Sequence, residues 1–165
     1  AELRKLIGGS FGEGKARLAR MIATLTGDRK ALQETYVQRL RRGVAVAHVE
    51  ASVTDWAWAP AAFDLVVAVF IQFLAPADRD QVFAGMIETL KPGGILMLHG
   101  YRPEQLAYGT GGPKAEENLY TEALLRDRFA GLEILALESY DREIDEGVGH
   151  SGMSALIDLV ARKPL

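Results

Sequence analysis

The sequence predicts an α/β fold with a doubly wound, mostly parallel sheet, helices on both faces and one antiparallel strand near the C-terminus. Two observations lead to this prediction. Residues 63–101 read as strand, helix, tight turn and strand, and both strand segments are nearly continuous apolar runs, as expected of buried parallel strands. The chain then ends in two strand-like segments joined by a turn region, which predicts an antiparallel strand at the end of the sheet.

The central unit can be divided into elements from its spacing. Residues 64–70 form the first strand, and apolar residues recur at helical spacing over 77–90. The Lys-Pro-Gly-Gly segment at 91–94 is expected to end this helix in a tight turn, because Pro lacks a backbone donor and Gly tolerates positive φ. Residues 95–98 form the second strand. Together they make one right-handed βαβ unit.

The flanking segments complete the predicted sheet. Thr121 is expected to cap a helix that runs to about residue 129, and two strands follow at 131–141 and 153–162. On the N-terminal side we expect a helix behind a glycine-rich turn, a second helix over about 29–42 and a strand over 43–49. Between the two helices, residues 24–26 either form a very short strand or no strand exists there.

Composition restricts the classes of function. The 165 residues suffice for one compact domain, so a single domain over 1–165 is expected, with an N-terminal part that is truncated or divergent. A net charge of −3 gives no electrostatic reason to expect nucleic acid. The chain has no cysteine and no helix with two histidines and an acid at metal spacing, so no metal site is expected. No apolar run is long enough to span a bilayer, and the expected location is the cytoplasm.

The glycine-rich segment at 8–14 is the candidate ligand loop. In a Rossmann-like domain a turn of this kind, between a strand and a helix, lets the backbone and the free amides of the helix approach a ligand. Gly12-Glu13-Gly14 fits the end of an S-adenosylmethionine loop, whereas Gly8, Gly12 and Gly14 together also fit the turn of short-chain dehydrogenases. A plain strand-to-helix turn is the third interpretation.

Two further segments are candidates for binding. Asp28 is either an acid that binds ribose hydroxyls or an N-cap of the following helix. The stretch 101–114 has two tyrosines and several glycines and prolines without helical or strand periodicity, and it follows the carboxyl end of a central strand. Long loops in this position are typical lids or binding loops, and the alternative is a surface loop without a role.

With these motifs in place, the chain from about residue 47 onward resembles the class I S-adenosylmethionine-dependent methyltransferases. It looks most like the branch related to tellurite-resistance and thiopurine methyltransferases. The resemblance rests on the sequence at 61–67, the Leu-Lys-Pro-Gly-Gly segment at 90–94, the segments at 105–113 and 119–121, and the end of the chain at 146–150 and 159–163.

This resemblance implies a seven-stranded sheet with one reversed strand and S-adenosylmethionine as cofactor. Catalytic residues stay unassigned, and the acceptor-side candidates are Tyr101, Tyr108 and His150. By position, the residues expected to bind the cofactor are Gly12, Glu13 and Gly14 near its methionine part, Asp28 at the ribose, Ser52 and Val53 beside the adenine, and Ala68, Val69 and Phe70 along the pocket wall.

The leading hypothesis is therefore methyl transfer to a small-molecule acceptor. Because Ser52 stands where the family has an acid and the second strand is short or missing, the second hypothesis is a degenerate fold that acts as a binding or dimerisation module. The third is a nicotinamide-dependent reductase, although no Tyr-x-x-x-Lys pair follows the central strands. The expected partners are a small-molecule acceptor and, as one option, a second copy of the chain, without nucleic acid or membrane.

Overall fold

The computed structural model describes Thr24–Leu25, Val49 and residues 51–145 and 151–165. In chain order, the elements of this part are β1 (Thr24–Leu25), β2 (Phe63–Val69), α1 (Pro76–Thr89), β3 (Leu90–Tyr101), α2 (Gln105–Tyr108), a short 3-10 helix (Glu116–Asn118), α3 (Glu122–Arg128), β4 (Glu133–Asp145) and β5 (Ser151–Arg162).

The strands of the described residues form one mixed sheet in the order β1-β2-β3-β5-β4. The first three strands run parallel, and β5 runs antiparallel to both of its neighbours. The predicted α/β architecture is thus confirmed, but the reversed strand lies one place inside the sheet, because β4 occupies the edge. Burial explains this order: β5 is buried at most positions from Ser154 to Ala161, whereas β4 remains largely exposed or half-buried.

The β2–α1–β3 unit forms the main core, as its apolar pattern predicts. Val82, Phe83 and Met86 of α1 are buried against residues of β2 and β3 that include Ala68 and Leu98. Pro76 stands in the first turn of the helix, where its missing N–H leaves no hydrogen bond unmade. Burying each of these large apolar side chains stabilises the fold by about 1.5–3 kcal/mol. Together they attach the helix to the sheet through one continuous apolar surface.

The Lys-Pro-Gly-Gly segment follows the end of α1 as predicted, and Gly93 has the expected positive φ of 75°, but the segment is part of β3 and not a turn separate from it. Residues 91–94 belong to β3, and the β2–β3 register shifts from Phe63↔Leu90 to Leu65↔Ile95 across them, which makes the segment a bulge in the ladder. The Gly93 N–H donates to the Lys163 carbonyl and the Lys163 N–H donates to the Gly94 carbonyl, both over 2.9 Å. Pairing with the chain end therefore draws the segment into the sheet.

Helix α3 begins as predicted, with the Thr121 hydroxyl accepting a hydrogen bond of 3.1 Å from the Leu124 N–H. Its buried residue Leu125 lies in the same apolar cluster as α1, so α1 and α3 cover the same face of the sheet. The two helices predicted before residue 43 lie outside the described residues, so the prediction of helices on both faces is tested here for one face only.

At the other side of the sheet, β1 confirms the short-strand alternative for residues 24–26. Thr24 pairs with Val67 and Leu25 pairs with Ala68 in parallel. Of the strand predicted over 43–49, only Val49 is described, and it is exposed and outside any strand.

The Lys163 ammonium group caps the end of α1. It donates to the carbonyls of Ile87 and Leu90 over 2.8 and 2.7 Å, and to that of Glu88 over 3.3 Å. We expect Lys163→Met to lower the free energy of unfolding by about 1.5–3 kcal/mol, because charged donors are lost from helix-end carbonyls.

The matched control is Lys91→Met, which removes a lysine whose bridge to Asp64 is exposed on both sides. Such a pair contributes about 0–1 kcal/mol. Urea denaturation of both variants measures the difference, and equal losses would contradict the capping role of Lys163.

Candidate active site

A cleft of about 280 Å³ opens at the carboxyl ends of β2 and β3, the edge at which open α/β sheets bind ligands. It is lined from three directions: the segment that follows β2, the end of β3, and the loop that leads to the 3-10 helix. In that order the lining residues are Phe70, Gln72 and Phe73, then Tyr101, then Gly112, Pro113 and Asn118. Most of this surface is apolar, and none of these seven described residues carries a charge at neutral pH.

Phe70 turns the chain at the end of β2. Its φ of 51° lies in the left-handed region, which an aromatic residue adopts at a cost of about 1–3 kcal/mol unless its surroundings enforce it. Here the Phe70 N–H donates to the His99 carbonyl over 3.0 Å, and the Phe70 ring stacks on that of Tyr101 at 4.6 Å with an angle of 22° between planes. The strained turn therefore presents an aromatic ring to the cleft.

Gln72 joins the three walls. Its side-chain amide accepts a hydrogen bond of 2.6 Å from the Tyr101 N–H and donates one of 2.8 Å to the Tyr101 carbonyl. The same amide nitrogen donates to the Asn118 carbonyl over 3.1 Å. Gln72 is only 4% exposed, so these bonds are made away from water and are costly to break.

The loop at 101–114 is more ordered than its sequence suggests. It contains α2, which no periodicity predicted, and it is fastened to β5 by Gln105 and Thr110. The Gln105 amide accepts from the Ala155 N–H over 2.8 Å and donates to the Thr110 hydroxyl over 3.0 Å, and that hydroxyl donates to the Met153 carbonyl over 2.6 Å. Of the predicted lid or binding loop, Gly112 and Pro113 line the cleft.

Among the predicted cofactor-wall residues, only Phe70 lines the cleft. Ala68 is fully buried beneath α1, and Val69 is 41% exposed. Ser52 is exposed, with its hydroxyl 2.7 Å from that of Thr54, and Val53 packs against the core; neither lines the cleft. The remaining expected binding residues, Gly12, Glu13, Gly14 and Asp28, lie outside the described residues.

Among the acceptor-side candidates, Tyr101 lines the cleft and Tyr108 does not. Tyr108 is exposed and donates a hydrogen bond of 2.9 Å to the Asp141 carboxylate, which raises the pKa of its phenol. His150 lies outside the described residues.

The sequence interpretation missed Gln72, Phe73 and Asn118. A polar residue directly after an apolar strand is the one signal that Gln72 offered, and Asn118 offered none. Within residues 51–145 and 151–165, no group of three or more acidic or histidine side chains could hold a metal ion. No helix in this part of the chain is long and apolar enough to cross a membrane.

Comparison with known proteins assigns the family. Residues 8–94 match the family described as a methyltransferase domain. The match covers more than half of the chain, and the chain belongs to this family. S-adenosylmethionine, the cofactor that the sequence predicted, follows from this membership. No curated protein matches the chain.

Solved structures agree on the fold. TehB from Haemophilus influenzae superposes with a TM-score of 0.65 at 12% identity, over 86% of this chain and 49% of that one. The N-methyltransferase NodS from Bradyrhizobium japonicum superposes with a TM-score of 0.63 at 16% identity, over 88% of this chain and 74% of NodS. An S-adenosylmethionine-dependent methyltransferase from Methanosarcina mazei superposes with a TM-score of 0.67 at 13% identity, over 91% of this chain and 84% of that one. The chain thus spans about half the length of TehB, and at these identities the likeness establishes the fold alone.

Gly112 faces the ring of Tyr101, and this contact predicts a difference between two glycine substitutions. A Cβ at Gly112 would lie 2.8 Å from the buried Tyr101 ring, whereas one at Gly109 would meet nothing within 4 Å. Both residues have positive φ, 81° and 64°, so both substitutions to Ala carry a similar backbone strain of about 1 kcal/mol.

Only Gly112→Ala must also displace a packed ring, which costs about 1–3 kcal/mol more. We therefore expect Gly112→Ala to lower the free energy of unfolding clearly more than Gly109→Ala. Denaturant titration measures the free energy of unfolding of both variants. An equal decrease in both would show that the Tyr101 ring moves aside without cost.

Proposed function

We propose that this domain transfers a methyl group from S-adenosylmethionine to an uncharged small-molecule acceptor that binds in the cleft. The supporting observation is the place of the cleft: in a chain of the methyltransferase-domain family, it opens at the carboxyl ends of β2 and β3 and is walled by Phe70 and Tyr101. The resemblance to the tellurite-resistance and thiopurine branch also favours a small acceptor.

The residues at the cleft fit the cofactor. When bound, S-adenosylmethionine supplies a methyl group on a positively charged sulfur, which is already a good leaving group. Aromatic faces attract such cations, and the half-buried Phe70 ring lies at this edge of the sheet, stacked on the buried ring of Tyr101. In the proposal, the backbone of Gly12-Glu13-Gly14 binds the methionine part, Asp28 and Ser52 lie toward the ribose and adenine, and Phe70 separates cofactor from acceptor.

The character of the acceptor follows from the lining. The described lining residues whose side chains carry polar groups are Gln72, whose amide is already bonded to backbone, Asn118 and Tyr101. Because none of the described lining residues is charged, a charged acceptor would lose its hydration there without gaining a partner from them. Methyl transfer then depends on holding acceptor and methyl group in line rather than on acid–base groups, and fixed walls supply this orientation.

The family match favours methyl transfer over the nicotinamide-dependent reductase. The non-catalytic binding module does not require the cofactor, whereas the proposed enzyme must bind it, so a binding experiment tests the enzyme. NodS has been crystallised with S-adenosylhomocysteine, which makes this product the natural probe.

We expect the protein to bind S-adenosylhomocysteine saturably in calorimetry, and Gly12→Val to weaken this binding at least tenfold, because a side chain at a close-approach glycine excludes the ligand. The control is Gly131→Val, at a position where an added Cβ meets nothing within 4 Å. A folded wild-type protein that binds nothing at millimolar ligand would instead support the binding module.

The acceptor side of the cleft can be tested separately with Phe73. This side chain lines the cleft yet is 53% exposed, so truncating it costs little stability. For any acceptor that a panel of small molecules identifies, we expect Phe73→Ala to raise KM about 10-fold or more through lost apolar contact, while S-adenosylhomocysteine affinity stays unchanged.

Leu106→Ala is the matched control, since Leu106 is 43% exposed and lies outside the lining. If both variants had the same KM, the acceptor would bind elsewhere.

A further inference from the structure

A hydrogen-bonded network of three polar side chains crosses the sheet beside the cleft. The Asp158 carboxylate on β5 lies 2.5 Å from Nδ1 of His99 on β3 through one oxygen. Its other oxygen accepts a hydrogen bond of 2.9 Å from the Tyr140 hydroxyl on β4. His99 and Asp158 are directly paired residues of the β3–β5 ladder, so the backbone register fixes their contact.

The network ends on Phe70. The His99 ring meets the Phe70 ring in an edge-to-face contact with centroids 4.7 Å apart, and the His99 carbonyl accepts the Phe70 N–H. The strained residue at the wall of the cleft is therefore held through both its backbone and its ring. The connection runs from β4 through β5 and β3 to the end of β2.

The polar side chains need an explanation other than stability. Asp158 and His99 are each about a quarter to a third exposed, and they stand between apolar residues of two central strands. Removing a carboxylate partly from water is costly, and well-packed apolar side chains at such positions are often at least as stable. The hydrogen bonds of Asp158 to His99 and Tyr140 instead fix the orientation of these side chains, because each bond restricts the rotation of both partners.

Tyr140 completes this restriction. Burial and the hydrogen bond to Asp158 raise the pKa of Tyr140 to about 12, so its hydroxyl remains protonated and donates to the carboxylate at any physiological pH. Both oxygens of Asp158 are then engaged, and the carboxylate cannot turn away from His99.

We propose that Tyr140, Asp158 and His99 are positioning residues that hold the Phe70 ring in the orientation required for methyl transfer. This inference rests on the proposed function for its catalytic consequence, but not for the contact to Phe70 itself. The network acts through Phe70 and does not touch the reacting atoms.

The test compares Asp158→Asn and Tyr140→Phe with Glu133→Gln. The control breaks a cross-strand ion pair outside the network, Glu133 of β4 with Arg162 of β5, at one end of the β4–β5 ladder. Each variant is made with ¹³C-labelled phenylalanine, and Phe70→Leu identifies the signal of the Phe70 ring. Thermal midpoints establish that each variant is folded, and Tyr140→Phe keeps the ring packing if Asp158→Asn proves unstable.

We expect both network variants to shift or broaden the Phe70 ring signal at an almost unchanged thermal midpoint, and Glu133→Gln to leave it as in the wild type. With an acceptor in hand, kcat falls about tenfold or more in the network variants, because misplacement of reacting groups is costly, while KM for S-adenosylmethionine changes little. A Phe70 signal that stays unchanged in both network variants overturns the inference. If the protein proves to transfer no methyl group, the Phe70 signal still decides on the network, and only the proposed function fails.

Discussion

The side-chain amide of Gln72 is the interaction on which the candidate site depends. Backbone pairing between β2 and β3 stops at Val69 and His99, and two residues farther along β3 the side chain of Gln72 bonds to the backbone of Tyr101. The Gln72 amide supplies both the donor and the acceptor that a continued strand would have supplied. The close approach requires Gly100, because a Cβ there would lie 2.7 Å from Oε1 of Gln72. The chain can therefore leave the sheet at Phe70 while the backbone of Tyr101 at the end of β3 keeps its hydrogen bonds to Gln72.

Gln72 is one of three long buried side chains that hold the walls of the cleft. Gln105 binds the backbone of Ala155 and of the cleft loop at Gly111, and Arg79 of α1 donates over 2.7 Å to the Glu117 carbonyl in the 3-10 helix next to Asn118. The described residues contain five buried polar or charged side chains, and these three all bond to the backbone around one cleft. A buried backbone group that loses its partner costs about 1–3 kcal/mol, so each wall has few alternative positions. Polar burial is concentrated where orientation matters for the proposed chemistry.

The sequence predicted the parts of the fold that local patterns determine. The bounds of β2 and α1 agree within about one residue with the apolar run and the helical spacing, and the Thr121 cap is seen as predicted. It could not show that residues 91–94 join a ladder, because their partner Lys163 lies far away in the chain. Similarly, α2 exists through contacts of Gln105 with β5 and has no periodicity of its own.

The same distinction applies to the candidate site. Phe70 was predictable because it ends a recognisable strand, and Tyr101 because it begins the loop that follows the next strand. The carboxyl edge of the sheet, where both lie, is the place where ligands bind. The contact of His99 with Asp158 depends on the register of two strands 59 positions apart, which no spacing within either strand reveals. Apolar periodicity specifies which face of a strand is buried, but not which residue lies opposite. Phe70, Tyr101 and the loop segment at Gly112 were therefore readable from the sequence, whereas Gln72 and Asn118 in the same lining became visible only in the folded chain. The residues that hold the cleft in place became visible only from the pairing of the strands.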